Sequence, residues 1–225
     1  MIKKKLLNII TKLNLDNPLE FIRELIAPLC KEKLNDHIMN CHDCVTCKNC
    51  EKQIAKGNPN ANYLIINDNA TDDEDINNYL YSILEAAEIP LDDIFIINSI
   101  SCILKKTFGD ETIIRLPNRI ETNNCKYFVD YALKFVNPRV IICMGATSLA
   151  MYRNDITIED VKGQFINING YKTLVTNSAK DMFILADTNT YTEDELTDIA
   201  NNVALDVNKA KQYIDSISRG GTDNE

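Results

Sequence analysis

Four cysteines recur with two residues between neighbours, and they are half of the eight cysteines in the chain. They are Cys41, Cys44, Cys47 and Cys50. Each Cys-x-x-Cys step lets two thiolates converge on one metal centre from a single tight turn. Thiols left free at such density oxidise and cross-link, so surface disulfides and ordinary buried thiols are weaker explanations. The spacing therefore predicts a metal site.

The overall composition is that of an ordinary globular protein. The chain has 225 residues, of which 45% are hydrophobic and 25% are charged, and this length suits one sizeable α/β domain with helical extensions. The basic start lacks a sustained apolar region and a cleavage site, and no stretch reaches transmembrane length. We expect a cytoplasmic protein that is not secreted and does not contact a membrane, where thiols stay reduced and thiol clusters hold metal.

The net charge argues against non-specific binding of nucleic acid. Asp and Glu number 33 against 24 Lys and Arg, which gives a net charge of −9. Non-specific DNA binding depends mainly on Lys and Arg neutralising phosphates, and the chain shows no obvious basic stripe. We expect a protein partner, with any DNA contact weak and local.

Hydrophobic patterning predicts strands that alternate with helices. Continuous apolar runs predict strands that are buried on both faces, as in a parallel sheet, and Asn169-Gly170 predicts a hairpin or a pair of strands. The predicted strands are Tyr63–Ile66, Ile94–Ile97, Val140–Met144, Gln164–Ile168 and Lys172–Thr176. The segment Lys105–Pro117 is interpreted as a loop. An open, mostly parallel sheet covered on both faces follows from this alternation.

Helical periodicity is strongest at the two ends of the chain and before the third strand. Ile2–Leu15 predicts a short amphipathic helix, and Asp16-Asn17-Pro18 predicts the start of a second one. A helix is also predicted over Ile120–Phe135. Thr192 to Glu195 forms a capping-box pattern that starts a long helix.

The order of several motifs resembles that of the iron–sulfur uracil-DNA glycosylases, often called family four. The resemblance covers roughly residues 41–185. The matching stretches are Gly57–Ile66, Ile83–Pro90, Ile94–Asn98 with the following Cys102, Asn137–Ala146, Ile156-Thr157 and Val161–Gly163. It implies a four-stranded, mostly parallel sheet in a three-layer α/β/α sandwich. The implied organisation is an N-terminal helical extension (1–40), the glycosylase-like domain (41–190), a C-terminal helix (191–218) and a disordered tail (219–225).

The resemblance also implies a [4Fe–4S] cluster held by an N-terminal Cys-x-x-C pair and two later cysteines. Cys41 and Cys44 match the first pair, and Cys102 and Cys125 match the second. A shifted pair from the cysteine run, a cluster held by the four cysteines of the run alone, and a second metal remain open. A four-thiolate zinc site is the less favoured cofactor, since it leaves Cys102 and Cys125 unexplained.

Most of the family's catalytic motifs are altered here. The glycine- and proline-rich turn after the first strand is replaced by residues 67–71, in which Asp68 is the one candidate to orient a water molecule. We interpret this acidic stretch, which continues to residue 75, as a solvated loop before a helix. The late histidine is replaced by Ser178. The segment that carries the base-stacking aromatic ring is absent, and Tyr79 or Tyr81 is its nearest substitute.

One base-reading position is retained. Asn98 matches the family's asparagine at the end of the second strand, where a carboxamide reads the pyrimidine edge. The favoured interpretation is a non-catalytic protein of this fold with a structural cluster, acting as a scaffold subunit in DNA replication, repair or transcription. The alternatives are an active glycosylase that uses Asp68 and Asn98, and an iron–sulfur redox or sensor protein. A viral source stays open, in which case the location is the host cytoplasm.

Overall fold

The computed structural model of the protein describes residues 17–48, 50–108, 111–187 and 190–219. The predicted helix Ile2–Leu15 lies outside these residues. The predicted disordered tail 219–225 also lies outside them, except for Arg219.

Six strands form the main sheet of the described chain, and two more form a separate hairpin. In chain order the strands are β1 (Lys56–Gly57), β2 (Tyr63–Asn69), β3 (Ile94–Ile100), β4 (Lys105–Phe108), β5 (Glu111–Ile114), β6 (Val140–Met144), β7 (Phe165–Ile168) and β8 (Tyr171–Thr176). The order across the main sheet is β1-β3-β2-β6-β8-β7. The four central strands are parallel, while β1 and β7 pair antiparallel at the two edges. The sheet is therefore wider than the four strands expected, and the predicted hairpin at Asn169-Gly170 is confirmed as β7–β8.

The strands β2 and β3 run three residues further than their apolar cores. Asn69 pairs with Ile100, and the Ala70 N–H donates to the Ile100 carbonyl at 2.8 Å. Ladder hydrogen bonds use the backbone, so a polar side chain does not end a strand whose neighbour continues beside it. The interpretation of residues 67–71 as a solvated loop is therefore wrong for Asn67 to Asn69.

Helices cover both faces of the sheet. The described α-helices are α1 (Pro18–Met39), α2 (Glu74–Ala86), α3 (Arg119–Val136), α4 (Ala146–Ala150), α5 (Ile158–Val161), α6 (Ala179–Asp187) and α7 (Glu193–Arg219). One core contains residues of α1 and α3 and the inward residues of one sheet face. The other contains residues of α2, α6 and α7 on the opposite face. The α/β class and the helix predicted over Ile120–Phe135 are confirmed.

The first and last described helices, α1 and α7, are both packed into the core. In α7, Val203, Val207 and Ala210 are buried against the sheet side that also carries α2. In α1, Leu34 and Ile38 are buried in the core that also contains α3. No helix among the described residues has the length and apolar content needed to cross a bilayer.

Residues 105–117 are not a loop throughout, because β4 and β5 pair antiparallel within them. The residues between the two strands, Gly109 and Asp110, lie outside the described part of the chain. A Gly-Asp pair flanked by short runs of β-favouring residues is a hairpin signal that the sequence interpretation passed over.

Candidate functional site

The fold brings the two late cysteines to the cysteine run. The Cys102 thiol lies close enough to Cys50, Cys125 and Cys44 for electrostatic interaction. Cys102 follows β3, whereas the run follows α1, so strands and helices from distant parts of the chain meet here. The two remaining cysteines lie apart from this group: Cys30 is next to Tyr131, and Cys143 contacts Ser148.

Cys125 belongs to the same group of thiols. Its thiol interacts electrostatically with Cys41, Cys44 and Cys47. We call the six residues Cys41, Cys44, Cys47, Cys50, Cys102 and Cys125 the thiol centre. All four cysteines predicted as cluster ligands belong to it, together with the two surplus cysteines of the run.

The donor atoms of the thiol centre are those that soft metals prefer, although the centre is not closed around an ion. All eight cysteines are free, and thiolate sulfur is the usual ligand of iron–sulfur clusters and structural zinc. No three His, Cys, Asp or Glu side chains within the described residues form a ready metal-binding group. Burial raises the pKa of Cys41 to about 11 and that of Cys125 to about 12, so metal binding would release protons from these thiols.

Backbone and side-chain contacts give the cysteine run its tight path. A short 3₁₀-helix, Thr46–Lys48, carries the buried Cys47. The Cys44 N–H donates to the Cys47 sulfur at 3.2 Å, and the Cys47 thiol donates to the Cys44 carbonyl at 2.9 Å. The Lys52 ammonium donates to the carbonyls of Met39 and Cys41. The start and end of the run are thereby held together.

A short antiparallel pairing holds the end of the run against the segment after β3. Lys52 forms an isolated β-bridge with Cys102. The Gln53 N–H donates to the Ser101 carbonyl at 2.8 Å, and the Ile103 N–H donates to the Glu51 carbonyl at 2.9 Å. Backbone hydrogen bonds alone therefore place the run beside Cys102.

The buried carboxylate of Glu121 attaches the middle of the run to the start of α3, the helix that carries Cys125. The Arg115 guanidinium donates to both carboxylate oxygens of Glu121, at 2.6 and 2.9 Å. The Thr46 hydroxyl and the Asn118 N–H also donate to Glu121. Because all these donors converge on one carboxylate, Glu121 positions Thr46, and with it Cys47, near Cys125.

The Glu121 network gives a pH-dependent contribution to stability. Hydrogen bonds from Arg115 lower the pKa of Glu121 to about 2, and those from Thr46 and Asn118 add to this effect against the opposing effect of burial. The stabilisation is fully present above the ordinary pKa of 4.5 and is lost as the pH falls through about 2. We expect Glu121→Gln to lower the free energy of unfolding by roughly 3 kcal/mol near neutral pH.

The difference between the wild type and Glu121→Gln should shrink steadily in urea unfolding curves recorded at decreasing pH. The matched control is Glu159→Gln, which removes an exposed ion pair with Lys162 and should change stability by less than about 0.5 kcal/mol. A pH-independent difference for Glu121→Gln would show that the carboxylate charge is not what stabilises the network.

Asp68 lies at the point where the strand order reverses, between β2 and β6. In open parallel sheets, ligands bind outside the carboxyl ends of strands at such a point. The Asp68 side chain is nevertheless buried, with a residue exposure of 7%. It packs against Gly145, where an added Cβ would stand 2.9 Å from the carboxyl carbon. The acidic residues after it do begin a helix as expected, since the Asp73 side chain caps α2.

Burial also sets the charge state of Asp68. It raises the pKa of the carboxyl group, and Asp181 adds to the rise, while a hydrogen bond with Thr147 and the charge of Lys180 oppose it. The Asp68 Oδ1 atom has no hydrogen-bond partner among the described residues. Burial therefore makes the Asp68 carboxyl group harder to ionise than an exposed aspartate.

Asn98 is held by two neighbouring amides. Its carbonyl oxygen accepts from Asn67 at 3.1 Å, and its amide nitrogen donates to the Gln53 side-chain oxygen at 3.0 Å. These three residues line a cavity of about 30 Å³ together with Tyr81. That volume accommodates about one water molecule, whereas ligand pockets typically measure roughly 300–1,000 Å³.

Asp68 and Asn98 point to opposite faces of the sheet. Asn67 is the register partner of Asn98, and their side chains are hydrogen-bonded to each other. Because successive residues of a strand alternate between faces, Asp68 points away from both. The structure thus does not place the two candidate pocket residues in one cavity.

The remaining predicted pocket positions have structural contacts. Ser178 is buried and caps α6, where the Asp181 N–H donates to its hydroxyl and the Ser178 N–H donates to the Asp181 carboxylate. The Tyr79 ring packs edge-on against Phe183, with ring centroids 5.9 Å apart. Of the two tyrosines proposed as stacking residues, only Tyr81 adjoins the Asn98 cavity.

Sequence reasoning missed the residues that support the thiol centre. Asn118 and Glu121 form a capping box, and this local pattern could have been identified from the sequence. The contacts of Thr46 with Glu121 and of Gln53 with Asn98 join segments far apart in the chain. No local pattern predicts such contacts.

A scan of the chain against protein-family models finds no match, and a search of curated proteins finds no significantly similar sequence. The family resemblance therefore rests on the ordered motifs alone.

Proposed function

We propose that this chain is a non-catalytic protein of the uracil-DNA glycosylase fold with a structural [4Fe–4S] cluster, which acts as a binding or scaffold subunit in a DNA replication, repair or transcription assembly. The observation that carries the non-catalytic part is the small size of the cavity at Asn98. A base-excising enzyme must accept a flipped base in a fitted pocket. Here the retained base-reading amide is already paired with Asn67 and Gln53.

The environment of Asp68 supports the same conclusion. A residue that activates water must reach the water and hold a negative charge in order to accept its proton. Asp68 is only 7% exposed and is packed against Gly145, so its carboxyl group has little contact with solvent. Its position on the sheet face opposite to Asn98 separates the two groups that an excision reaction would have to combine.

The thiol centre supports the cofactor part of the proposal. Cys41, Cys44, Cys102 and Cys125 supply four thiols of the kind that hold a [4Fe–4S] cluster. Such a cluster would link the segment after α1, the segment after β3 and helix α3. On this view the cluster stabilises the fold and takes no part in a reaction. Zinc bound by four thiolates is the alternative occupant.

The proposed partner is a protein. The net charge of −9 disfavours a contact that depends mainly on phosphate neutralisation. Leu25 and Leu29 of helix α1 are exposed to solvent. Exposed leucine side chains favour contact with a protein surface over contact with DNA. Anaerobic affinity purification followed by mass spectrometry of co-purified proteins identifies the partner without loss of the cluster.

The absence of base excision is the direct test of the non-catalytic part. We expect the purified, metal-loaded protein to release no uracil from single- or double-stranded DNA under conditions in which a known uracil-DNA glycosylase is fully active. The reason is that no cavity at Asn98 admits the base. Detectable release of uracil would refute this part of the proposal and leave the cofactor part standing.

An active glycosylase of altered mechanism or base preference is the second candidate, and one observation favours it. Asp68 Oδ1 and Thr176 Oγ1 are buried without hydrogen-bond partners among the described residues, and both adjoin Gly145. Unpartnered buried polar atoms are rare, and some of them mark sites of ligand binding or catalysis. This candidate requires that abasic sites form in DNA carrying some deaminated or modified base, and that Asp68→Asn abolishes their formation.

A further inference from the structure

The thiol centre contains two cysteines more than a [4Fe–4S] cluster requires, and their surroundings differ. Cys47 is 1% exposed, and its sulfur is bonded to both the N–H and the carbonyl of Cys44. Cys50 is half-buried and lines an open cleft of about 320 Å³. Cys47 thus closes a turn inside the protein, whereas the Cys50 sulfur is reached from solvent.

The cleft at Cys50 borders the thiol centre through Cys50 itself. Its lining residues are Val45, Thr46, Cys50, Glu51, Ile103 and Lys105. The backbone pairing of Lys52 with Cys102 brings the Cys102 thiol close to Cys50, and Cys102 is itself only 5% exposed. An ion that enters the cleft therefore meets the Cys50 sulfur before it meets Cys102.

The contact between Cys50 and Cys102 does not depend on a metal. It is fixed by the backbone hydrogen bonds that join Glu51 to Ile103 and Gln53 to Ser101, and by the bridge between Lys52 and Cys102. A metal-free chain with these backbone bonds already has one accessible thiol next to one buried thiol. Thiolate sulfur selects soft metal ions over the hard cations that oxygen ligands prefer.

We propose that Cys50 is a capture thiol, which binds an incoming thiophilic divalent ion from the cleft and passes it by ligand exchange to the inner thiols, beginning with Cys102. This inference rests on the proposed function only in that the thiol centre binds metal. In the first step the Cys50 thiol loses its proton to water as its sulfur bonds to the ion. In the second, Cys102 loses its proton and bonds to the ion, the bond to Cys50 breaks, and Cys50 takes up a proton. No electron is transferred, and the ion keeps its oxidation state.

Uptake of cobalt(II) by the reduced, metal-free full chain tests the capture step, because cobalt(II) absorbs visible light when thiolates bind it. We expect Cys50→Ser to slow uptake roughly tenfold with unchanged final absorbance, since Cys50 is the thiol of the centre that lines the cleft and stands before the buried Cys102. The matched control is Cys30→Ser, which removes a half-buried thiol outside the centre and should take up cobalt at the wild-type rate.

Two outcomes of this experiment would overturn the capture role alone. Uptake by Cys50→Ser at the wild-type rate would show that the ion enters elsewhere. A lower final absorbance in Cys50→Ser would show that Cys50 is a permanent ligand. If the wild type binds no cobalt and carries no metal as isolated, the proposed metal centre fails together with the inference.

Alkylation of the metal-loaded wild type gives an independent measurement. A capture thiol is free again once the ion has moved inward, so iodoacetamide should modify Cys50 before Cys41 and Cys44, with the bound metal retained. Peptide mass mapping together with metal analysis reads out both quantities. Equal protection of Cys50, Cys41 and Cys44 would contradict the proposal.

Discussion

Replacement of Cys125 by serine is expected to leave less than about a tenth of the iron, sulfide and visible absorbance of the wild type after anaerobic purification. Cys125 lies close to Cys41, Cys44 and Cys47, and no other cysteine lies on α3. A serine hydroxyl is a far weaker ligand for soft iron than a thiolate. The measurement is iron and sulfide content per chain together with the visible spectrum.

The matched control for Cys125→Ser is Cys143→Ser. Cys143 is also buried, but it lies on β6 next to Ser148 and outside the thiol centre, so its replacement should leave the metal content unchanged. Serine variants of Cys41 and Cys44 should behave like Cys125→Ser, whereas Cys47→Ser should retain the cluster. Retention by Cys41→Ser with loss in Cys47→Ser would instead assign the ligand pair to a shifted position in the run. A colourless wild type that contains only zinc would reject the iron–sulfur assignment.

Replacement of Phe95 by alanine is expected to lower the free energy of unfolding by about 3–5 kcal/mol. Phe95 is fully buried near the start of β3, and its ring packs edge-on against Phe135 of α3 with centroids 5.5 Å apart. The change creates a cavity between the sheet and the helix that carries Cys125. Urea unfolding followed by circular dichroism measures the effect, which should appear as a lower midpoint with an unchanged slope.

Tyr127→Ala serves as the matched control for Phe95→Ala. Tyr127 is an aromatic residue of α3, the helix against which Phe95 packs. It is 56% exposed, so Tyr127→Ala should lower the free energy of unfolding by less than about 1 kcal/mol. If the two variants lowered the free energy of unfolding by similar amounts, the contact between Phe95 and α3 would not be a major source of stability. Since α3 supplies Cys125, Phe95→Ala should also accelerate loss of metal to a chelator.

The central strands were predictable because their apolar runs are continuous. Tyr63–Ile66 and Val140–Met144 lack the alternation of a half-exposed strand, and this pattern is typical of a sheet covered on both faces. The extension of β2 through Asn67 to Asn69 was not predictable from the same signal. Its hydrogen bonds come from the backbone of β3, and the sequence of one strand does not reveal how far its neighbour runs.

The candidate site was predictable only in part, for a similar reason. The spacing within the cysteine run indicates metal binding without any knowledge of the fold. Its association with Cys102 and Cys125 was expected only from the family resemblance, because the contact depends on how α3 and the segment after β3 pack. The burial of Asp68 depends on the close approach of Gly145, a residue from a different strand connection, and no local pattern could indicate it.

The arrangement of the thiol centre has a consequence for biosynthesis. During translation the cysteine run leaves the ribosome before Cys102 and Cys125 do, because synthesis proceeds from the N-terminus. During that interval the nascent chain offers four closely spaced thiols without the two partners that β3 and α3 later supply. An ion bound then would be held by the run alone, and the native set of ligands would form only when the sheet is complete. The order of translation thus makes premature metal binding a hazard for this chain, and a supply of metal that follows folding would avoid it.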